Sequence, residues 1–423
     1  MKRILSTLFL AIILIASQPL IAPAQGQETV SVIIDGLTLN LDVLPVIQDG
    51  RTLVPFRAIA EAMNIDVSWD NQTRTVNGTD GSTTVRLQID NCTAYRNNIP
   101  MALDVAPQII EGRTLIPLRF FSEAFNCQVG WDSAIYQVSI ISPPKAMTVI
   151  GFYALGDSQT SSWTNLFGQA YPTTAPGNTD VISELALGWY SIDKQGNLLD
   201  KSRTGWQRPD GWEKVLNSAK QYKLPGEMVI HVTDGDGTIS SLLNDPTAMA
   251  RTVKAISEEA RQYSGVNLDF EGLGYKDSGE QLQQVQQRFT NFVNLLGQEL
   301  KTNRNGLTLT LHAPNSAYPG YDYQALGQIA DRIIIMAYDY GAKPEPISQV
   351  KQAVEMVCDS VPANKLVLGI SAPSETAASI ATKVGIAKRY NLNGVALWRL
   401  GVINDGMWQT LRDSLTKSAT VTA

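Results

Sequence analysis

Residues 264–271, which read Ser-Gly-Val-Asn-Leu-Asp-Phe-Glu, decide how the larger part of this chain folds. Side chains alternate across a β-strand, so this stretch predicts a strand with one apolar and one polar face. The apolar face is Val266, Leu268 and Phe270, and the polar face is Asn267, Asp269 and Glu271. Burying two carboxylates and an amide is costly unless they are hydrogen-bonded or used. The polar face therefore has either a structural or a chemical role.

Eight strand-like runs, including this one, recur along residues 148–400, with helical patterns between several of them. The runs are Thr148–Leu155, Ile182–Ile192, Met228–Thr233, Val266–Glu271, Leu307–Ala313, Arg332–Tyr340, Lys365–Ala372 and Gly394–Leu400. Helices are clearest at Pro246–Tyr263 and Glu280–Thr302. The alternation predicts an α/β fold, a (β/α)8 TIM barrel. An open doubly wound sheet is the alternative, but no GxGxxG follows the first strand to support its nucleotide-binding form.

In such a barrel the polar face of the fourth strand points to the barrel axis. Glu271 ends its strand, and barrel active sites lie at the carboxyl ends of the strands. This placement favours a catalytic role over a structural polar network or a pair of carboxylates that grips a cation.

An internal repeat fills the region before the barrel. Gly50–Val76 reads GRTLVPFRAIAEAMNIDVSWDNQTRTV, and Gly112–Val138 reads GRTLIPLRFFSEAFNCQVGWDSAIYQV, at a spacing of 62 residues. Each unit predicts a turn, a short strand stopped by Pro, a short amphipathic helix and a second strand. Neither unit is large enough to bury a core alone, so the two should pack together as a small α+β domain.

Composition limits the classes of function. The chain has 34 Lys and Arg against 40 Asp and Glu, a formal net charge of −6, which disfavours nucleic acid as a partner. Its two histidines disfavour a His-rich metal centre, so we predict no metal and no cofactor. Cys92 and Cys127 either pair or stay free, and the sequence leaves both open.

Residues 1–24 have the layout of a secretory signal peptide, with Lys2 and Arg3 before an apolar run and small residues at a cleavage site. An uncleaved anchor is the alternative, although the run is short for a membrane span. We therefore expect a secreted or wall-associated protein without membrane contact after signal removal. The remaining domains are assigned to residues 29–142 and 148–417, with a Pro-containing linker at 143–147.

The repeat resembles the copper amine oxidase N-terminal-like, or stalk, domain of secreted and wall-associated bacterial proteins. The resemblance implies attachment to the cell wall. Copper itself is not implied, because no histidine occurs in residues 1–230. Arg57, Arg119, Trp69 and Trp131 either contact wall polymer or serve packing and helix-face pairing.

The barrel resembles the family-18 glycoside hydrolases, whose fourth-strand motif is Asp-Gly-x-Asp-x-Asp-x-Glu. Residues 264–271 match its glycine, its last acidic pair and its apolar spacers, whereas Ser264 and Asn267 depart from it. Met336-Ala-Tyr-Asp339 looks like the sixth-strand motif, and Trp398 looks like the eighth-strand tryptophan. The resemblance covers about residues 146–417. It is greatest to the bacterial branch that acts on wall or spore-cortex peptidoglycan.

This resemblance implies substrate-assisted, retaining catalysis, in which the 2-acetamido oxygen of the sugar attacks the anomeric carbon. Glu271 would be the general acid, with its pKa raised by a neighbouring carboxylate and burial. Asp269 would orient the acetamide and Tyr338 would donate a hydrogen bond to it. Asp339 would contact sugar hydroxyls, and Trp398 would form an apolar floor under the sugar.

The same resemblance places Asn267 and Met336 among the substrate-binding residues. An amide at Asn267 can hydrogen-bond Asp269 but cannot take up its charge, which would change the coupled titration. Further side chains are candidates for sugar stacking or for ordinary packing: Trp163, Trp189, Trp206, Trp212, Tyr318 and Tyr321. His231 and Asp234 end the third strand and could line the cleft, and His312 is predicted to be a core residue.

The leading hypothesis is a secreted glycosidase that hydrolyses β-1,4 bonds next to N-acetylglucosamine in cell-wall or spore-cortex peptidoglycan. Its partner would be a GlcNAc-containing polysaccharide, with the N-terminal domain holding the cell wall. One alternative is a chitinase or endo-β-N-acetylglucosaminidase, and another is a non-catalytic carbohydrate-binding barrel. The intact Glu271 favours an enzyme.

Overall fold

A computed structural model of the 423-residue chain describes residues 29–154, 161–201, 205 and 207–418. The segment 1–24, predicted to be a signal peptide, lies outside the described residues. A small β-rich domain precedes a closed, eight-stranded parallel barrel with helices around it. The predicted fold class is confirmed. Among the described residues, none of the helices combines the length and apolar character that crossing a membrane requires.

The N-terminal domain is built from short strands and two short helices. They are β1 (Ser31–Ile34), β2 (Leu37–Thr38), β3 (Val46–Gln48), β4 (Arg51–Pro55), α1 (Phe56–Ala62), β5 (Asp66–Asp70), β6 (Thr75–Thr79), β7 (Thr84–Gln88), β8 (Thr93–Arg96), β9 (Ile99–Ala102), β10 (Gln108–Ile110), β11 (Arg113–Pro117), α2 (Leu118–Ala124), β12 (Gln128–Asp132) and β13 (Gln137–Ile141). Both repeats form the predicted strand, helix and strand, and Gly50 and Gly112 adopt the positive φ of a tight turn, at 71° and 74°.

The two repeats interlock rather than stack. Strand β4 of the first repeat pairs antiparallel with β11 of the second. In addition, an arginine of each repeat forms an ion pair with an aspartate of the other. Arg51 Nε lies 2.6 Å from Asp104 Oδ2, and Arg113 Nε lies 2.6 Å from Asp42 Oδ2. The equivalent pairs are 62 residues apart, so the repeat extends further towards the N-terminus than the matching sequence stretch.

The barrel alternates strands with helices. The strands are β14 (Lys145–Ala154), β15 (Glu184–Ile192), β16 (Leu198–Leu199), β17 (Gly226–Thr233), β18 (Gly265–Glu271), β19 (Gly306–His312), β20 (Arg332–Met336), β21 (Leu366–Ser371), β22 (Gly394–Trp398) and β23 (Leu415–Lys417). The helices are α3 (Ser161–Phe167), α4 (Trp212–Gln221), α5 (Thr238–Leu243), α6 (Pro246–Glu259), α7 (Gly279–Thr302), α8 (Tyr323–Ile329), α9 (Ile347–Cys358), α10 (Ala377–Arg389) and α11 (Asp405–Ser414). Strand β14 pairs in parallel with both β15 and β22, which closes the barrel.

Two predicted strand boundaries differ from the structure by three residues or more. The sixth strand, predicted to reach Tyr340, ends at Met336. Asp339 has a φ of 64°, and the backbone N–H groups of Asp339 and Tyr340 donate to the Glu345 carboxylate at 3.1 Å instead of to a strand. The first strand starts at Lys145, so residues 145–147 of the predicted linker belong to the barrel and pair with β23.

The N-terminal domain packs against the second half of α10. Asn64 Nδ2 donates to the Lys388 carbonyl at 2.7 Å, and the Arg389 guanidinium donates to backbone carbonyls of β1 and β2. A Cβ at Gly385 would collide with the Asp35 carbonyl oxygen, so this close approach needs glycine. Because α10 connects the parallel strands β21 and β22, its second half lies towards their amino ends. The N-terminal domain is therefore attached away from the barrel mouth.

A charged network fills the barrel interior at the amino ends of the strands. Arg332 donates to both carboxylate oxygens of Glu184 at 2.9 and 2.7 Å, and to Glu227 Oε1 at 2.7 Å. Glu227 also accepts from Thr308 Oγ1 at 2.6 Å and from Asn267 Nδ2 at 3.3 Å. Burial raises the pKa of Glu227, and the Arg332 charge opposes that rise. The single arginine compensates one buried and one partly buried carboxylate.

Replacing Arg332 with Met should lower the free energy of unfolding by about 3–5 kcal/mol, because it leaves buried carboxylates without a counter-charge. Chemical denaturation at pH 7 measures this. The matched control is Arg412→Met, which breaks a bidentate pair with Asp180 at the surface and should cost no more than about 1 kcal/mol. Equal losses in the two variants would contradict a special role for the interior network.

Candidate active site

The acidic side chains of β18 converge at the carboxyl end of the barrel. The apolar face of β18 packs outwards, where Phe270 stacks on Phe292 of α7 with ring centroids 5.6 Å apart. The polar face lies inside, where Asp269 is 3% exposed and Glu271 is partly exposed. From the neighbouring strand β17, His231 Nε2 lies 3.5 Å from Glu271 Oε1. The alternation predicted from the sequence is therefore present.

The two carboxylates have opposite pKa shifts. Burial, together with the negative charge of Glu271, raises the pKa of Asp269 well above its usual value. Burial also acts to raise the pKa of Glu271, but the hydrogen bond and charge of His231, with a further contribution from His312, lower it overall. The predicted rise in the Glu271 pKa is therefore wrong, and the raised pKa belongs to the neighbouring Asp269.

The hydrogen bonds of the Asn267 side chain are made to Glu227 and Thr310, and not to Asp269 as the sequence analysis allowed. Its Nδ2 donates to Glu227 Oε2, and its Oδ1 accepts from Thr310 Oγ1 at 2.7 Å. Asp269 Oδ1 is buried and finds no hydrogen-bond partner among the described residues. Asn267 therefore belongs to the interior network, and the buried carboxyl above it retains hydrogen-bonding capacity. Whether Asn267 binds substrate stays a prediction.

Tyr338 and Asp339 follow β20 and lie beside the carboxylate pair. Burial raises the pKa of Tyr338 well above its usual value, and the charges of Asp269 and Glu271 add to the rise, so its phenol remains a hydrogen-bond donor. Burial, with the charges of Glu345 and Glu271, also raises the pKa of Asp339. These effects place both side chains within electrostatic reach of Glu271. Their contacts with substrate stay predictions.

The loop that carries these two residues is held by buried charges that the sequence did not indicate. Glu345 fixes the loop backbone, and its own carbonyl accepts from Lys383 Nζ at 2.8 Å. Lys383 also pairs with Glu375 at 2.9 Å, and all three residues are buried. Lys383 lies on α10 and Glu375 lies just before that helix. Lysine and glutamate at such positions are normally exposed to solvent, so the sequence alone did not indicate that these two residues stabilise the site.

The remaining two motif residues end their strands at the same mouth. Trp398 is partly exposed at the end of β22, and its ring meets Phe152 edge-on at 5.5 Å. Met336 ends β20 opposite His312 and is only 4% exposed. Their contacts with substrate stay predictions.

The aromatic candidates separate into core and rim. Trp163, Trp189 and Tyr321 are buried in the layer between strands and helices, where Tyr321 donates to the Phe270 carbonyl at 2.7 Å. Trp212 is half-buried beneath Arg208, and Trp206 lies outside the described residues. These assignments leave Tyr318 as the candidate at the rim.

Tyr318 joins a small group of rings beside Glu271. It stacks on His312 with centroids 4.3 Å apart and lies 5.6 Å from Tyr275, which is 53% exposed. His312 is half-buried at the end of β19 and acts on the Glu271 pKa, so its prediction as a core residue was wrong. Asp234, in contrast, accepts from the Ser240 backbone N–H at 2.8 Å and organises the start of α5.

Two further sequence questions concern metals and thiols. The ligand atoms of His231, Asp269 and Glu271 lie within 4.8 Å of one another, so this trio could hold a cation. The prediction that no metal takes part stays a prediction.

Cys92 and Cys127 are both free, with Cys92 exposed and Cys127 buried, and burial raises the pKa of Cys127 to about 12.

A closed barrel with acidic side chains at the carboxyl end of one strand is an arrangement used by barrel glycosidases. Residues 231–376 match the profile described as glycosyl hydrolases family 18, and residues 33–140 match the copper amine oxidase N-terminal domain. Part of the barrel is therefore similar to the glycosyl hydrolases of family 18, and the domain before the barrel is similar to the copper amine oxidase N-terminal domain.

Curated relatives match parts of the chain. A cortical fragment-lytic enzyme of Bacillus subtilis is 31% identical over 144 residues, covering 30% of this chain and 31% of that enzyme. The uncharacterized glycosylase YvbX of the same organism is 24% identical over 260 residues, covering 55% of this chain and 70% of YvbX. Across the curated relatives the matched share ranges from 31% to 70%, so the chain spans about half the length of a typical one.

Solved structures share the fold. A chitinase from Chromobacterium violaceum superposes with a TM-score of 0.52 at 20% identity, over 63% of this chain and 98% of that one. The spore cortex-lytic enzyme SleL from Bacillus megaterium superposes with a TM-score of 0.54 at 17% identity, over 71% of this chain and 82% of that one. At these identities the likeness concerns the barrel fold alone.

The raised pKa of Asp269 makes stability depend on pH. A group whose pKa is raised by folding contributes most stability below its unfolded pKa of about 3.9 and loses that contribution as the pH rises through its folded value. Asn cannot ionise, so Asp269→Asn should unfold at a higher temperature than wild type at pH 8. The difference should shrink towards zero near pH 4, as measured by thermal unfolding across this range.

Asp180 provides a control of opposite sign. A side-chain hydrogen bond from Arg412 lowers the Asp180 pKa, so its contribution is present above the unfolded pKa and lost as the pH falls. Asp180→Asn should therefore unfold at a lower temperature than wild type at pH 8, with a smaller difference near pH 4. A constant gain for Asp269→Asn at every pH would contradict the raised pKa of Asp269.

Proposed function

We propose that the protein hydrolyses β-1,4 glycosidic bonds next to N-acetylglucosamine in cell-wall or spore-cortex peptidoglycan, with retention of configuration. The observation that carries this proposal is the Asp269–Glu271 pair at the carboxyl end of β18, in which the pKa of Asp269 is raised and the pKa of Glu271 is lowered. Tyr338 adds a neutral donor beside the pair. One acid, one adjacent carboxylate and one phenol are the groups that a substrate-assisted reaction requires from the enzyme.

The reaction would proceed by intramolecular attack. Glu271 donates its proton to the glycosidic oxygen, and the bond between that oxygen and the anomeric carbon breaks. The acetamido oxygen of the same sugar forms the new bond to the anomeric carbon, which produces a cyclic oxazolinium ion. The Asp269 carboxylate would stabilise this cation by its negative charge, and Tyr338 would orient the acetamide. Water then opens the ring, and Glu271 takes up the proton of that water.

The opposite pKa shifts require one preparatory step. The pKa of Asp269 is raised, whereas His231 favours the ionised form of Glu271. A proton would therefore pass from Asp269 to Glu271 before the leaving oxygen is protonated. The transfer would leave Asp269 anionic as positive charge develops on the sugar, so the same step would prepare both groups.

The polymer is proposed from the relatives and the domain arrangement. The sequence match to a cortical fragment-lytic enzyme of Bacillus subtilis favours spore-cortex or wall peptidoglycan over chitin. Residues 1–24 would direct export, and the N-terminal domain would hold the enzyme on the wall. A chitinase or endo-β-N-acetylglucosaminidase remains the alternative that the same catalytic groups would serve.

Glu271→Gln should lower kcat by at least about 100-fold, because a general acid contributes roughly 10²–10⁴-fold. Wild type and variant are incubated with purified peptidoglycan and with chitin oligomers, and mass spectrometry of the products identifies the bond cut. Glu280→Gln, an exposed position at the start of α7, is the matched control and should retain full activity. Undiminished hydrolysis by Glu271→Gln would contradict the mechanism, and no product from any polymer would favour a carbohydrate-binding barrel.

Cleavage should also require the substrate's own acetyl group. Oligomers that are N-deacetylated at the sugar whose anomeric carbon is attacked should not be cleaved, because the free amine offers no carbonyl oxygen. Product analysis of matched acetylated and deacetylated oligomers tests this. Comparable cleavage of both would show that an enzyme group or a water molecule makes the attack.

A further inference from the structure

The N-terminal domain contains a cleft of about 520 Å³ between its two repeats. Its lining includes Arg51, Asp104, Arg119, Phe120, Glu123 and Trp131. The volume falls within the range of roughly 300–1,000 Å³ typical of small-ligand sites. Neither the catalytic groups of the barrel nor the contact with α10 uses these residues, so the cleft is separate from both.

Two aromatic rings give the cleft an apolar surface. Trp131 is 41% exposed, and its ring meets Tyr136 edge-on at a centroid distance of 5.9 Å, which orients the indole. Phe120, on the adjacent face of α2, is only partly buried. An exposed, oriented indole offers a flat apolar face with a polar edge, which matches the apolar face and hydroxyl rim of a pyranose ring.

Paired opposite charges surround these rings. Arg51 binds Asp104 at 2.6 Å, and Arg119 lies 3.4 Å from Glu123. The two arginines supply planar donors and the two acids supply acceptors, while the four formal charges cancel. Such a lining disfavours a polyanion or polycation as ligand. It suits a neutral chain that carries many hydroxyl and amide groups.

The aromatic surface is specific to the second repeat. At a spacing of 62 residues, Phe120 corresponds to Ala58, whereas Trp131 corresponds to Trp69. Trp69 is 42% exposed, almost the same as Trp131, but it does not line the cleft. The chain therefore offers two equivalent tryptophans, of which one lies in a two-ring cleft and the other does not.

We propose that this cleft binds a glycan strand of the polymer on which the barrel acts, with Trp131 stacking against a sugar ring. The identity of the polymer rests on the proposed function, whereas the existence of the binding site does not. Because α10 fixes the N-terminal domain on the barrel, the cleft would hold polymer at a set distance from the catalytic carboxylates.

Adsorption of the full-length chain to insoluble polymer tests the proposal without turnover. All proteins carry Glu271→Gln so that the polymer is not degraded, and binding isotherms are measured on purified peptidoglycan and, separately, on chitin. Trp131→Ala should weaken adsorption to at least one polymer by fivefold or more, since loss of a central aromatic contact commonly costs more than 1 kcal/mol. The polymer affected identifies the source of the glycan.

Trp69→Ala is the matched control and should stay within twofold of the parent protein. Arg119→Gln provides a second test at an exposed side chain and should weaken adsorption at least twofold without loss of the folded state in thermal unfolding. Unchanged adsorption of Trp131→Ala and Arg119→Gln would overturn the proposal, as would an equal loss with Trp69→Ala. Hydrolysis of soluble oligomers by the wild-type chain is measured in parallel, so failure of the proposed function is recognised separately.

Discussion

The structure depends on how charged side chains are accommodated inside a barrel that excludes most water. At the amino ends of the strands, Arg332 compensates Glu184 and Glu227. Thr308 donates to the Glu227 oxygen that Arg332 also binds, and Asn267 donates to the other oxygen of Glu227. At the carboxyl ends compensation is incomplete, because no lysine or arginine pairs with Asp269 and Glu271 among the described residues. Compensation therefore stabilises the base of the barrel, and at the mouth no positive charge of the described residues opposes the rise in the Asp269 pKa.

A second group of buried charges fixes the geometry of that mouth. Lys383 on α10 joins Glu375 to the carbonyl of Glu345, whose carboxylate binds the backbone after β20. Tyr338 and Asp339 lie on this backbone, so their positions depend on residues about forty positions later in the chain. Helix α10 also carries the contact with the N-terminal domain. One helix thus links the site loop on one side to the neighbouring domain on the other.

The N-terminal domain illustrates what duplication allows. Its two repeats share strand β4–β11 pairing and exchange equivalent Arg–Asp contacts, so the scaffold is almost symmetric. The surface is less symmetric, because the second repeat has the aromatic Phe120 at the position where the first repeat has the small Ala58. Substitution on one copy of a repeated scaffold can add a binding surface without disturbing the shared core.

The sequence by itself determined the strand order, the alternation on β18 and the identity of Asp269 and Glu271 as the paired acids. These features are local: they follow from periodicity within a few residues and from spacing along the chain. Tertiary structure decided the contact of His231 with Glu271, the true end of β20 and the burial of Lys383. It also decided the opposite pKa shifts of Asp269 and Glu271. Each of these depends on groups brought together from different strands and helices, and the electrostatic balance among them exists only once the barrel has closed.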